Sequence, residues 1–155
     1  MSDNLVFLPL GGTGEIGMNL NLYGYGGRWL MVDCGVTFEK QGNPSSLRPS
    51  IQMADPQFIV SRRQSLEGLI ITHAHEDHLG AVPYLWEQLR CPIYTTAFTA
   101  SVLQQKYRSL GKDLPGELIQ VLPGSHRKLG VFDVEWLQLT HSTPETCALN
   151  IQAGG

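Results

Sequence analysis

The sequence predicts a mixed α/β fold (equally an α+β fold) in which short strands outnumber helices and the helices lie between strands in the middle of the chain. Apolar residues at Val82, Leu85, Trp86 and Leu89 follow the i, i+3, i+4, i+7 spacing of one helix face. Earlier segments alternate or run apolar over four to six residues between glycine-rich turns, which is typical of strands. These patterns predict one sheet-containing domain.

The individual elements follow from the same patterns. We predict strands over residues 5–10, 19–23, 28–32, 69–72, 92–95, 118–122 and 131–139, and helices over residues 79–90 and 97–110. Residues 24–27 are expected to form a hairpin turn, residues 38–55 a loop, and residues 57–64 a short helix. The alternation of the last strand slips near Trp136, which predicts a bulge there.

Composition excludes several classes of protein. The chain has 155 residues, 42% hydrophobic and 16% charged residues and a net charge of −3, which is ordinary for one globular domain and gives no basic signal for nucleic acid. The cysteines, Cys34, Cys91 and Cys147, are odd in number and form no CxxC, which fits a reducing cytoplasm. A signal-peptide start and a run of about 20 apolar residues are both lacking, so we expect no membrane association.

The densest chemical signal is the segment 72–78, Thr-His-Ala-His-Glu-Asp-His, which holds three of the five histidines and directly follows an apolar run. Imidazole and carboxylate are ligands of zinc, manganese and iron. The alternative is an exposed polar loop with satisfied histidines, which we would prefer for a lone histidine such as His126, expected in an exposed turn beside Arg127 and Lys128. Clustering at a strand end favours a metal site and metal-assisted hydrolysis.

A second motif matches a known ligand-binding pattern without its structural context. Residues 12–17 match the GxGxxG pattern of dinucleotide-binding folds, and Asp33 follows at a suitable distance for a ribose contact. That site requires a helix after the glycines, because the helix N-terminus holds the pyrophosphate. Here a strand is predicted instead, so we expect no dinucleotide.

These segments also carry a family resemblance. The segment 73–80, His-Ala-His-Glu-Asp-His-Leu-Gly, looks like the signature of the metallo-β-lactamase superfamily. With it, segments 11–19, 32–35, 72–85 and 140–142 resemble, in the same order, the ribonuclease J family of the β-CASP branch. The resemblance runs from Leu5 to about Ile151.

The resemblance implies roles for particular residues. It places His73, His75 and His141 on one ion, and Asp77 and His78 on a second ion as the candidate catalytic residues. The implied cofactor is zinc, one or two ions, with manganese as an alternative. Asp33 would orient the histidine loop from behind the ligands, as metal-binding histidines usually require.

The implied activity is hydrolysis of RNA phosphodiesters, both 5′-3′ exonucleolytic and endonucleolytic, in the cytoplasm, and the truncated form given by residues 1–155 is not expected to be active alone. Two alternatives stay open. One is a non-catalytic metal-binding module that needs a partner chain. The other is a small-molecule hydrolase of the same superfamily.

The implied fold is the αββα sandwich, of which residues 1–155 would be the first half, an N-terminal part of the catalytic domain without the β-CASP and C-terminal domains. We therefore expect an exposed apolar sheet face, and either an oligomer or a missing C-terminal half. No aspartate follows Asp133, so the second ion would have only Asp77 and His78. RNA is the expected partner.

Overall fold

The computed structural model of the protein describes residues 4–38 and 50–154. The described strands, in chain order, are β1 Val6–Gly11, β2 Leu20–Tyr25, β3 Arg28–Val32, β4 Val36–Phe38, β5 Ile51–Met53, β6 Leu66–Ile70, β7 Ile93–Thr95, β8 Leu118–Gln120, β9 His126–Leu129, β10 Phe132–Gln138 and β11 Cys147–Ala153. The described helices are α1 Gln57–Val60, a 3-10 turn Arg63–Ser65, α2 Glu76–Leu79, α3 Val82–Leu89 and α4 Ala97–Ser109.

The largest sheet has six strands in the order β1, β2, β3, β6, β7, β8. Strands β1, β2 and β3 pair antiparallel, while β3, β6, β7 and β8 run parallel to one another. A second sheet has the order β11, β10, β9, and β4 pairs with β5 in a small third sheet. The α/β prediction is therefore confirmed.

The two faces of the large sheet bury different partners. Met31 and Leu69 point into a cluster that includes Leu85 of α3 and Leu103 of α4. Because side chains alternate along a strand, their neighbours on the opposite face belong to a second cluster, which is built on the three-stranded sheet. Helices thus cover one face and a second sheet covers the other, which makes three successive layers of the αββα arrangement.

The expectation of an exposed apolar sheet face is wrong for the centre of the sheet. Leu30 and Ile70 on that face are 0% exposed and pack in one cluster with Phe132 and Trp136 of β10. At the β1 edge the expectation holds, since Phe7 is 52% exposed. The second sheet reaches the middle strands of this face but leaves the edge uncovered.

The predicted helix over residues 79–90 is in fact two helices, α2 and α3, and it begins earlier, at Glu76. The carbonyl of Asp77 accepts the backbone N–H of Asn19 at 3.0 Å, and the N–H of Ala81 donates to Cys34 at 2.9 Å. A continuous helix would need Asp77 and Ala81 to bond each other. Tertiary hydrogen bonds therefore interrupt the helix, which its periodicity alone could not reveal.

Three further predictions need correction. The predicted loop 38–55 contributes β4 and β5, while residues 39–49 lie outside the described part of the chain. The predicted bulge at Trp136 is wrong, because β10 pairs with β11 in unbroken register from Phe132 to Gln138. The apparent slip arises because Leu137, beside the buried Trp136, faces outward and is 42% exposed.

His126 lies on β9 and not in a turn, and β11 was not predicted.

Among the described helices, none has the length and apolar character that crossing a bilayer requires.

We expect Gly35→Ala to destabilise the protein, because a methyl group there would overlap the backbone carbonyl of Asp77. Overpacking against backbone costs about 3 kcal/mol or more, which corresponds to a fall in Tm of roughly 6–12 °C. Gly116→Ala is the control, since nothing lies within 4 Å of the added methyl group there. Equal Tm values for the two variants would contradict the packing described here.

Candidate metal centre

The candidate centre lies at the carboxyl ends of β3 and β6, where ligands commonly bind in sheets of this kind. These strands are parallel neighbours, so the residues that follow them, Asp33 and the segment 72–78, meet at one edge of the sheet. The N–H of Cys147, at the start of β11, donates to the carbonyl of Thr72 at 3.2 Å. This bond brings the β10–β11 loop, which carries His141, to the same edge.

Three imidazoles converge here. The Nε2 atom of His73 lies 3.0 Å from Nδ1 of His75, and Nε2 of His141 lies 3.2 Å from the same Nδ1. The candidate ligand atoms of the three residues all lie within 4.8 Å of one another. In a tetrahedral zinc site with Zn–N bonds of about 2.0–2.1 Å, the nitrogens lie about 3.3 Å apart. The donor set and its spacing therefore fit a metal ion.

A chain of hydrogen bonds presents the Nε2 lone pair of His73. The carboxylate of Asp33 is a pure acceptor, so the hydroxyl of Thr72, 3.0 Å from each carboxylate oxygen, must donate to it. The Thr72 oxygen then accepts the Nδ1–H of His73 at 2.9 Å. This assignment leaves Nε2 of His73 unprotonated and directed toward the other imidazoles, as a metal ligand must be.

In His75 the two ring nitrogens have the reverse roles. Its Nδ1 faces the other two histidines, while its Nε2 lies 3.0 Å from the hydroxyl oxygen of Ser142. If Nε2–H donates to Ser142, Nδ1 keeps its lone pair for an ion. The Ser142 hydroxyl would thus orient the ring of His75 as the Thr72 hydroxyl orients the ring of His73.

Burial favours the neutral form of His73, which is 6% exposed. Its pKa is lowered from 6.5 to about 4, chiefly by desolvation and then by the neighbouring His78, while the charge of Asp33 opposes the shift. His73 is therefore neutral at physiological pH, and its lone pair is available without loss of a proton.

Asp77 and His78 form a separate pair beside the three imidazoles. The rings of His73 and His78 have centroids 4.0 Å apart, and Nε2 of His78 lies 3.4 Å from Oδ2 of Asp77. Desolvation lowers the pKa of His78, but its 2.7 Å hydrogen bond to Asp33 and the charges of Asp33 and Asp77 outweigh burial and raise it overall. The two side chains offer one carboxylate and one imidazole to the same pocket.

The structure thus brings together the six residues singled out in the sequence. His73, His75 and His141 form the cluster, Asp77 and His78 lie next to it, and Asp33 lies behind it, 4% exposed. Their metal-binding roles stay a prediction. His126 is apart, exposed on β9, with Nε2 3.8 Å from the carboxylate of Asp133.

Sequence reasoning missed Thr72, Ser142 and Asn19 as parts of this site. The Asn19 side-chain amide donates to the Asp77 carbonyl at 3.0 Å and lies 3.4 Å from both Asp77 Oδ2 and His78 Nε2. All three residues belong to the segments that carried the family resemblance. That adjacency was the available signal, but hydrogen bonds between distant segments cannot be inferred from spacing.

The glycine-rich turn behaves as predicted. The strand β2, and not a helix, follows residues 12–17. No helix N-terminus is therefore available at this turn to hold a pyrophosphate.

Comparison with known proteins agrees with this fold. The profile of the metallo-beta-lactamase superfamily matches residues 17–151, so the chain belongs to this superfamily. Its curated relatives include ribonuclease J of Sinorhizobium meliloti, 44% identical over 97% of this chain, and ribonuclease J of Mycobacterium tuberculosis, 33% identical over 99%. The chain spans 27% of the length of each of these two relatives.

Solved structures support the same fold. A protein of unknown function from Enterococcus faecalis superposes with a TM-score of 0.66 at 19% identity, covering 97% of this chain and 41% of its own. A metallo-beta-lactamase from Staphylococcus aureus superposes with a TM-score of 0.61 at 16% identity, covering 98% of this chain and 40% of its own. At these identities the likeness shows the fold alone.

We expect Asp33→Asn to weaken metal binding by roughly 10- to 100-fold, the usual effect of removing a partner of a metal ligand. Asparagine keeps the shape and tolerates the φ of 64° found at this position, so the backbone should hold. The carboxylate of Asp33 accepts from Thr72 through one oxygen and from His78 through the other. Asparagine has only one acceptor oxygen, so one of these two hydrogen bonds is lost. Zinc titration against a chromophoric chelator measures the change. An unaltered affinity would show that Asp33 does not orient the ligands.

Ser142→Ala removes the acceptor for the Nε2–H of His75 and should weaken zinc binding by about 10-fold. Ser142→Thr retains a hydroxyl and should restore most of the affinity. Ser109→Ala, on the exposed side of α4, is the matched control and should leave affinity unchanged. The role given to Ser142 is wrong if its alanine variant matches Ser109→Ala.

Proposed function

We propose that this protein is a metal-dependent hydrolase that cleaves RNA phosphodiesters, as a ribonuclease J-like 5′-3′ exonuclease and endonuclease. The observation that carries the proposal is the convergence of His73, His75 and His141, whose candidate ligand atoms lie within 4.8 Å of one another. The similarity to ribonucleases J at 44% and 33% identity supports RNA as the substrate. The proposal includes zinc as the ion, manganese as its alternative, and the cytoplasm as the compartment.

The side chains of the centre would have separate roles. The three imidazoles would hold the ion, and because imidazole ligands carry no negative charge, its positive charge would remain available for a phosphate. A metal ion at such a site would lower the pKa of water and offset the charge that develops on a phosphoryl oxygen. Asp33 orients the ring of His73 through Thr72 and the ring of His78 directly. This arrangement lets a protein with a net charge of −3 accept a polyanion locally.

Asp77 and His78 are the candidates for a second ion and for the proton transfers of the reaction. His78 donates Nδ1–H to Asp33 and keeps Nε2 toward Asp77, where a proton or a cation can lie between them. Two donor atoms are few for tight binding. We therefore propose that further donors for a second ion come from another part of the active assembly, either an additional domain or a second chain.

The test combines metal content with cleavage of a 5′-monophosphorylated RNA, for the wild type, His73→Ala and His126→Ala. The wild type should retain about one zinc ion at the three imidazoles and, in the assembly that supplies the further donors, cleave RNA. His73→Ala should lose both properties because it removes a buried ligand. His126→Ala is the matched control and should keep both, since His126 is exposed and lies on β9.

Each other outcome contradicts a part of the proposal. Zinc retained by His73→Ala would exclude the site. Zinc bound without RNA cleavage, even in the assembly that supplies the further donors, would exclude a nuclease in favour of a non-catalytic metal-binding module. Hydrolysis of a lactam or thioester substrate in place of RNA would identify a small-molecule hydrolase.

A further inference from the structure

The loop that carries His141 connects β10 to β11 and has little packing of its own. His141 and Ser142 are both exposed. The loop is closed at its base, where the N–H of Leu139 donates to the carbonyl of Thr146 at 2.8 Å. The third imidazole is therefore presented by a surface loop, whereas His73 is buried and is fixed by Thr72. Besides the contact of Ser142 with His75 and the bond from Thr146 to Thr143 within the loop, a further contact joins this loop to helix α4.

That contact is made by Glu145. Its Oε2 atom accepts the backbone N–H of Phe98 at 2.8 Å, across 47 residues of sequence. Phe98 lies in the first turn of α4, whose N-cap residue, Thr96, makes no side-chain capping hydrogen bond and whose first turn contains no acidic residue. A carboxylate is favoured at such a position, because it satisfies an unpaired N–H group and the helix dipole. The first turn of α4 is thus capped from the His141 loop.

The backbone of Glu145 is held in an uncommon conformation. Its φ is 56°, in the left-handed region that residues with a side chain seldom adopt. The conformation belongs to a tight turn in which Pro144 precedes Glu145 and the hydroxyl of Thr146 donates to the carbonyl of Thr143 at 2.9 Å. A positive φ at the position after the proline is typical of a type II turn. The turn places Glu145 where its carboxylate reaches the first turn of α4.

The helix α4 is a firm anchor. Leu103 is 0% exposed and Tyr107 is 4% exposed, both packing in the cluster on the large sheet, and Ala100 is 0% exposed. Further along α4, the ammonium of Lys106 donates to Glu76 at 2.7 and 2.8 Å, and Glu76 stands directly between His75 and Asp77. The same helix therefore contacts both chain segments that carry the imidazoles.

We propose that Glu145 is a positioning residue of the metal centre, which fixes the loop of His141 against the N-terminus of α4 and so aligns the third imidazole with the other two. This inference rests on the proposed metal site. Removing the Glu145 carboxylate should leave the fold intact but allow the loop to sample positions in which His141 is displaced. Metal affinity should fall because ordering the loop then opposes binding.

The experiment measures the affinity for Zn²⁺ of the whole chain, by competition with a chromophoric chelator, together with Tm without metal. Glu145→Ala should weaken zinc binding on the order of 10-fold. Glu145→Asn, which tolerates the positive φ but is too short to reach Phe98, should behave likewise and guards against misfolding of the alanine variant. Glu145→Gln, which keeps an acceptor oxygen, should restore most of the affinity. Glu87→Ala, which removes an exposed glutamate from α3, is the control.

A double-mutant cycle with His141→Ala separates positioning from general stabilisation. If Glu145 acts through His141, Glu145→Ala should cause little further loss of affinity once His141 is absent. Equal losses in both backgrounds, or wild-type affinity in both Glu145→Ala and Glu145→Asn, would overturn the proposal. Failure of the metal site itself has a different signature, in which the wild type and His141→Ala bind zinc equally.

Discussion

The carboxylate of Asp33 joins the ends of two parallel strands, and the orientation of the imidazoles depends on this junction. It accepts the N–H and hydroxyl of Thr72 at 2.9 and 3.0 Å and the Nδ1–H of His78 at 2.7 Å. Hydrogen bonds to a charged group contribute about 1.5–3 kcal/mol each. Burying a carboxylate is costly unless it has such partners. The interaction that stabilises the end of β6 is therefore also the one that orients the rings of His73 and His78.

The surrounding backbone explains how a short segment can carry so many functional groups. The carbonyl of Asp77 accepts two hydrogen bonds from Asn19, and the carbonyl of His78 accepts the N–H of Cys34 at 2.7 Å. These bonds fix α2 from outside, because a helix of four residues, Glu76–Leu79, has little stability of its own. Gly35 allows the close approach, since any side chain there would collide with Asp77. Residues of the candidate metal centre therefore also stabilise the local fold.

Much of this organisation could be predicted from the sequence, because its signals are local. The clustered histidines after an apolar run located the centre, and alternation located most strands of the large sheet. The division of α2 from α3 could not be predicted, since it results from a hydrogen bond to Asn19, 58 residues away. The bulge predicted near Trp136 was wrong because Leu137 is apolar but exposed. Next to the buried Trp136, it makes the alternation of apolar and polar residues look interrupted. Ser142 and Glu145 carry no pattern of their own and gain significance only from what the fold places next to them.

In the proposed centre three imidazoles, and no other side chains of the described residues, provide the protein ligands of one ion. X-ray absorption spectroscopy of the zinc-loaded protein tests this claim most directly. The structure predicts a first coordination shell of nitrogen and oxygen atoms at about 2.0–2.1 Å, with the outer-shell scattering typical of three imidazoles. A sulfur shell at about 2.3 Å, which only ligation by Cys34, Cys91 or Cys147 could produce in place of a histidine, would contradict it. So would a spectrum with a single imidazole.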